Sequence, residues 1–90
     1  MTVTVRHWRF EDGKFRTENY GNRRTIPMDP IPRGWYCWVY ADDQDNFIEW
    51  MGKHCPGSDC TFRFNSGDPM IQVYIAEDAE ATLFTLRWMG

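Results

Sequence analysis

Gly-Trp-Tyr-Cys-Trp-Val-Tyr, residues 34–40, is the stretch of sequence that decides the fold. Every position after the glycine is aromatic, aliphatic or a cysteine, which behaves as a small apolar residue. A short apolar run of this kind is typical of a central strand that is buried on both faces. A proline-rich segment precedes it and an acidic segment follows it. We therefore expect the rest of the chain to cover this strand.

The composition limits the chain to one domain. Ninety residues are enough for a single modest core. The net charge is −3, but residues 1–34 carry seven basic and four acidic side chains, whereas residues 35–90 carry three basic and nine acidic ones. This asymmetry can steer a charged partner towards one half of the chain, or it can let the two halves attract each other within the fold.

The N-terminal segment 2–10 alternates between apolar and polar residues, with one change of phase. The apolar residues lie first at odd and then at even positions: Val3, Val5, Trp8 and Phe10. This change predicts either a bulge near Arg6–His7 or a strand with both faces partly covered. Asp12-Gly13 is the dipeptide that a two-residue hairpin turn favours. Such a turn would place Phe15 opposite Phe10 and Thr17 opposite Trp8.

The segment 21–34 is rich in proline, glycine and arginine, so it is predicted to be a loop rather than a long helix or an interior strand. Its arginines are Arg23, Arg24 and Arg33. One interpretation is an arginine-bearing recognition loop. The other is a crossover whose apolar residues pack on the core: Ile26, Met28 and Ile31.

Two helices and two further strands are expected after the central strand. The segment Asp-Asp-Gln-Asp at 42–45 favours a helix start. The helix should run to about Cys55 with an apolar stripe: Phe47, Trp50, Met51, His54 and Cys55. Strands are predicted at 61–65, with Phe62 and Phe64 on one face, and at 70–76, separated by a turn at 66–69. In the second strand the inward residues are Ile71, Val73 and Ile75.

The last helix should begin at Glu77-Asp78. Its predicted buried stripe is Ala79, Leu83 and Leu86, widened by Phe84 and Trp88.

The element order predicts an α+β fold. A β-hairpin (1–20) and a Pro/Arg-rich loop (21–34) precede a β-α-β-β-α unit (35–90), which is the ferredoxin-like, split βαβ arrangement without its final strand. The N-terminal strand could occupy the vacant edge, or the hairpin could extend the sheet. We expect a mostly antiparallel sheet with two helices on one face.

No motif in the sequence indicates an enzyme, a cofactor or a metal. His54, Cys55 and Cys60 lie within seven residues, but a structural zinc site needs four ligands and no second pair of ligands accompanies them. Neighbouring His54 and Cys55 point apart on a helix, which disfavours a cysteine nucleophile. An odd number of cysteines without a secretion signal favours reduced thiols. We therefore expect a non-enzymatic protein without cofactors.

The central strand offers an aromatic surface. If Trp35, Cys37 and Val39 face the helices, three aromatic residues lie on the opposite face, beside Gln72 and Tyr74: Tyr36, Trp38 and Tyr40. Three interpretations remain open. The N-terminal hairpin can cover this face, the face can bind a protein, or it can stack the bases of a single-stranded nucleic acid.

The segment 77–88, Glu-Asp-Ala-Glu-Ala-Thr-Leu-Phe-Thr-Leu-Arg-Trp, resembles the ending of many small accessory proteins of tailed bacteriophages. Those proteins often contain a tryptophan-bearing helix upstream, as Phe47-Ile48-Glu49-Trp50 is here. The resemblance carries over no functional residues. It implies a small protein that binds a host or virion protein, often to inhibit it.

Together these observations predict a non-enzymatic, phage-encoded protein-binding module that inhibits or redirects a host protein. The alternatives are single-stranded nucleic-acid binding and a small virion component, and a homo-oligomer is possible. The candidate partner-binding residues are Arg23, Arg24, Arg33, Tyr36, Trp38, Tyr40 and Tyr74. No signal peptide or stretch of about 18 apolar residues is present, so we expect a cytoplasmic protein without a membrane partner.

Overall fold

The computed structural model of the chain describes residues 1–13, 17–20, 24–27 and 32–90. Its elements in chain order are β1 (Val3–Glu11), β2 (Thr17–Tyr20), β3 (Arg24–Pro27), β4 (Gly34–Ala41), α1 (Gln44–His54), β5 (Asp59–Asn65), β6 (Asp68–Ile75) and α2 (Asp78–Trp88). No helix in these described ranges is long and apolar enough to cross a membrane.

The main sheet has four strands in the order β1-β4-β6-β5, and every neighbouring pair is antiparallel. The predicted α+β class is confirmed, and the arrangement is consistent with a ferredoxin-like fold. β4 is a central strand, as the apolar run predicted. β1 occupies the edge beside β4 that the β-α-β-β-α unit leaves vacant, so the N-terminus completes the sheet.

The predicted partner of β1 was wrong. Gly13 has the positive φ of a turn residue, 85°, but β1 pairs with β4, from Val3 opposite Ala41 to Glu11 opposite Gly34. Thr17 pairs with Pro27 instead of Trp8, and the expected partner Phe15 lies outside the described residues. The physical reason is burial: β4 offers β1 a long apolar partner beside the core, and this outweighs a local turn preference.

The segment predicted to be a loop contains β3, which pairs with β2 in a separate two-stranded sheet. Its ladder is almost in register with that of β1 and β4. Five residues lie between Glu11 and Thr17 on the outgoing side, and six lie between Pro27 and Gly34 on the returning side. The side chains of Ile26, Met28 and Ile31, which were predicted to pack on the core, lie outside the described part of the structure.

The change of phase in β1 is a β-bulge, which was one of the two alternatives that the sequence left open. Arg6 pairs with Trp38 and Arg9 with Tyr36, so two residues of β1 stand against one of β4. His7 has a φ of 59°, in the left-handed region. A bulge inserts one residue and redirects the side chains that follow it. This bulge lets Val5 and Trp8, which are three positions apart, contact the same core.

The core lies between the helices and one face of the sheet. Its buried residues come from β4, β6, the two helices and the residue after α1: Cys37, Val39, Phe47, Met51, Cys55, Ile71, Val73, Ile75, Ala81 and Phe84. α1 begins as predicted, because the Asp43 carboxylate accepts a hydrogen bond from the Asn46 amide at 3.0 Å. β4 is buried on this face only, since the aromatic residues on its other face are half-buried. Burial on both faces was therefore not observed.

The predicted buried stripe of α2, Ala79, Leu83 and Leu86, was wrong, although Phe84, which was predicted to widen it, is buried. Leu83 and Leu86 are exposed, whereas Ala81 and Phe84 are buried. The Phe84 ring stacks on Trp8 with centroids 5.5 Å apart, so it fills the space between the helix and the edge strand. Because one large ring buries more apolar surface than a leucine, Phe84 determines the rotation of the helix.

Candidate functional site

The face of the sheet opposite the helices carries an aromatic row, as the sequence predicted. Tyr36 pairs with Tyr74 and Trp38 with Gln72 across the two central strands. We call this surface the open face. Trp8 and Phe10 do not cover it, because Trp8 packs on Phe84 and the Phe10 ring lies 4.9 Å from that of Trp35, both on the helix side. Within the described ranges, nothing therefore supports the interpretation that the N-terminal hairpin covers this face.

The bulge in β1 brings cationic side chains to the open face. Arg6 lies directly opposite Trp38. The His7 ring contacts the Trp38 ring edge-on, with centroids 4.5 Å apart and planes at 65°. Arg9 follows on the same face, with its guanidinium carbon 5.3 Å from the centre of the Tyr36 ring. Arg9 also pairs with Glu11 at 3.3 Å.

Sequence reasoning missed these three residues of β1. The change of phase was the signal that could have found them. In a regular strand, alternation would have placed Arg6 and His7 on opposite faces. With the bulge, both lie beside Trp38.

Two tyrosines of the open face hold the start of β4 in place. The Tyr36 hydroxyl donates to the carbonyl of Pro32 at 2.7 Å, and the Tyr74 hydroxyl donates to that of Arg33 at 2.7 Å. Their rings contact each other, with centroids 4.9 Å apart. These hydroxyls therefore tether the returning chain. Of the predicted aromatic site, Trp38 and Tyr40 line a groove.

The groove lies at the other end of the open face and has a volume of about 410 Å³. Its lining comes from β1, β4 and the β5–β6 hairpin: Thr4, Arg6, His7, Trp38, Tyr40, Asn65 and Asp68. The Tyr40 hydroxyl accepts a hydrogen bond from the Asn65 amide at 3.1 Å and lies 3.8 Å from the sulfur of Met70, which is buried. One wall therefore carries the Arg6 cation and the opposite wall the Asp68 carboxylate.

The predicted arginines are placed differently from the aromatic row. Arg33 contributes its carbonyl oxygen to Tyr74, while its guanidinium carbon lies 5.2 Å from the centre of the Phe10 ring, which packs on the helix-side residue Trp35. Arg24 lies in β3 opposite Tyr20. The side chain of Arg24 and the whole of Arg23 fall outside the described residues. Their predicted contribution to binding stays a prediction.

The cysteines form no catalytic or metal-binding arrangement in the part of the chain that the structure describes. All three are free thiols. Burial is the largest cause that raises the pKa of Cys37 to about 12 and that of Cys55 to about 11, and it also raises the pKa of Cys60. Such thiols are protonated at neutral pH and are poor nucleophiles. No three His, Cys, Asp or Glu residues of the described ranges are placed to hold a metal ion.

Comparison of the chain with protein-family models, with curated proteins and with solved structures finds no match.

Proposed function

We propose that the chain is a non-enzymatic protein-binding module that engages its partner through the groove on the open face. The observation that carries the proposal is one aromatic ring, Trp38, between walls of opposite charge, with Arg6 on one side and Asp68 on the other. A polypeptide offers apolar side chains for Trp38, carboxylates for Arg6 and amide donors for Asp68, so it can contact all three residues. Tryptophan and arginine are also the residues that dominate the binding energy of protein interfaces.

The partner that this chemistry fits presents an apolar side chain for Trp38, an acidic group for Arg6 and an amide or basic group for Asp68. The resemblance of residues 77–88 to small phage accessory proteins supports a bacterial host protein as the partner, with inhibition or redirection as the outcome. The charge asymmetry between the two halves of the chain would help to orient the encounter.

The test is capture of a partner from a bacterial lysate by the immobilised chain and by matched variants. Trp38→Ala should lower the affinity for the recovered protein by about 30-fold, because hot-spot side chains contribute roughly 2 kcal/mol or more. Arg6→Ala should lower it by about tenfold. The control is Lys53→Ala, which removes an exposed cation in the last turn of α1. A partner that binds Trp38→Ala as tightly as the wild type would exclude the groove as the site.

Single-stranded nucleic-acid binding is the second candidate, and one observation favours it. Arg6, Arg9 and Arg63 share the open face with the aromatic row, since Arg63 pairs with Met70 and donates to Gln72 at 3.3 Å. An oligothymidylate of about 20 nucleotides is a suitable probe, because bases stack on tryptophan. Quenched tryptophan fluorescence and an affinity that falls steeply with salt, both lost in Trp38→Ala, would favour this candidate over a protein partner.

A further inference from the structure

The two edge strands of the main sheet are protected to very different degrees. β1 carries the bulge at His7, and a bulge twists an edge away from further pairing. β5 is regular over all seven residues, and its pairing with β6 has no break. Two large apolar side chains on it face solvent: Phe62 is 55% exposed and Phe64 is 79% exposed. An unprotected, apolar edge of this kind favours pairing with another strand.

The β5–β6 turn shows which groups of β5 are free to pair. Ser66 and Gly67 both have positive φ, 53° and 87°, so they form a two-residue hairpin turn flanked by the pair Asn65–Asp68. That pair exchanges hydrogen bonds, and alternate pairs along the ladder do the same. Pro69 has no N–H and lies opposite Phe64. This pair is one of those that do not exchange hydrogen bonds. The backbone N–H and C=O groups at the even positions 60, 62 and 64 therefore point outwards.

We propose that β5 pairs antiparallel with β5 of a second copy, about a two-fold axis at Thr61, to form a continuous eight-stranded sheet. The outward backbone groups at positions 60, 62 and 64 must pair with the same groups of the second copy. This condition allows the two-fold axis to pass through Thr61, Phe62 or Arg63. An axis at Arg63 would place two arginines against each other. An axis at Thr61 places Asp59 of each copy opposite Arg63 of the other, which gives two ion pairs on the open face. The charges therefore select Thr61.

The same register places the exposed phenylalanines beside a cavity. A cavity of about 150 Å³ lies between α1 and β5, and its lining includes Ile48, Met51, Cys55, Ser58 and Cys60. With the axis at Thr61, Phe62 of one copy lies opposite Cys60 of the other and Phe64 lies opposite Ser58. Phe62 and Phe64 are on the helix side, because their partners in β6 are Ile71 and Pro69. Each copy thus places two rings beside residues that line the cavity of the other.

A second copy fits this edge because the edge is complementary to itself. A two-fold interface uses the same patch on both subunits, so the patch must contain both halves of every contact. β5 carries an acid and a base four residues apart, Asp59 and Arg63, with a threonine midway between them. It also carries the phenylalanines and borders the cavity that receives them. This interface is separate from Trp38 and does not depend on the proposed function.

The first test is the mass of the purified chain in solution, measured by sedimentation velocity over a range of concentrations. The wild type should approach twice 10.7 kDa. Phe64→Asp should raise the dimer dissociation constant by about a hundredfold or more, because two rings per dimer lose their burial. The control is Leu86→Asp, on an α2 side chain that is 71% exposed, and it should leave the mass unchanged. A wild type that stays monomeric at about 1 mM would overturn the proposal.

Charge exchange tests the register. Asp59→Arg should weaken the dimer about tenfold, since it replaces two exposed ion pairs by two repulsive contacts. Adding Arg63→Asp to the same chain should restore the affinity, because the charges are then exchanged across the axis. A double variant as weak as the single one would contradict the axis at Thr61.

Disulfide trapping gives an independent measure of the axis. In a Cys60→Ser background, a cysteine introduced at the axis lies opposite the same cysteine of the second copy, within disulfide distance. Thr61→Cys should therefore cross-link faster under mild oxidation than Phe62→Cys or Arg63→Cys, each of which reports one of the other registers. If Phe62→Cys or Arg63→Cys cross-links fastest, the register is wrong even where the dimer exists.

Discussion

Truncation of Phe84 tests which face of α2 is buried. Phe84 is fully buried, stacks on Trp8 at 5.5 Å and meets Phe47 edge-on at 6.4 Å. Replacing a buried phenylalanine by alanine costs about 3 to 5 kcal/mol, from lost transfer free energy and from the cavity that remains. A domain of 90 residues has a total stability of roughly 5 to 13 kcal/mol. Phe84→Ala should therefore remove a large part of it.

The assay is urea unfolding followed by circular dichroism at 222 nm, with thermal unfolding as a second measure. Phe84→Ala should lower the melting temperature by about 15 to 30 °C, because 1 kcal/mol corresponds to roughly 4 to 8 °C for a domain of this size. The control, Leu86→Ala, should change stability by no more than about 0.5 kcal/mol, because this side chain is 71% exposed. If Leu86→Ala costs as much as Phe84→Ala, the helix is rotated and the described core is wrong.

Two further predictions concern backbone space and buried thiols. Gly34→Ala should destabilise the fold by about 1 to 3 kcal/mol, because a Cβ there would lie 2.6 Å from the carbonyl oxygen of Ile75. Gly52→Ala, in α1 with open space around it, should stabilise by about 0.5 to 1 kcal/mol in the same urea assay. Burial raises the pKa of Cys37 from 9.0 to about 12, so the folded state keeps a proton that the unfolded state loses. This stabilisation is complete below pH 9 and should decline by about 1.4 kcal/mol per pH unit above it. In unfolding curves from pH 8 to 11, the free energy of unfolding should decline less steeply with pH for Cys37→Ala than for the wild type. Equal slopes would contradict a raised pKa for Cys37.

The open face and the β5 edge are two surfaces with different chemistry. The groove on the open face combines Trp38 with charges of both signs, whereas the β5 edge combines outward backbone groups with two exposed phenylalanines. Variants at Trp38 and at Phe64 therefore separate partner binding from self-association. A Phe64→Asp monomer that still binds the partner would show that the two surfaces act independently.

The alternation of apolar residues predicted much of the sheet. The continuous apolar run at 34–40 predicted a central strand, and the two-residue repeat of a strand placed Tyr36, Trp38 and Tyr40 opposite its buried side chains. The burial on both faces that the same run predicted was not observed. The phase change in segment 2–10 predicted the bulge for the same reason. The start of α1 followed from its capping aspartate, which is a local interaction.

Tertiary packing decided what local patterns left open. The partner of β1 depended on which surface buries the most apolar area, and a favourable turn at Asp12-Gly13 could not compete with β4. The rotation of α2 depended on where the Phe84 ring fits between Trp8 and Phe47. The groove exists only because three distant segments meet there. The sequence by itself determined the four strands of the main sheet and both helices, because these depend on short-range periodicities. The tertiary structure alone decided which strand pairs with β1, which face of α2 is buried and which faces remained open.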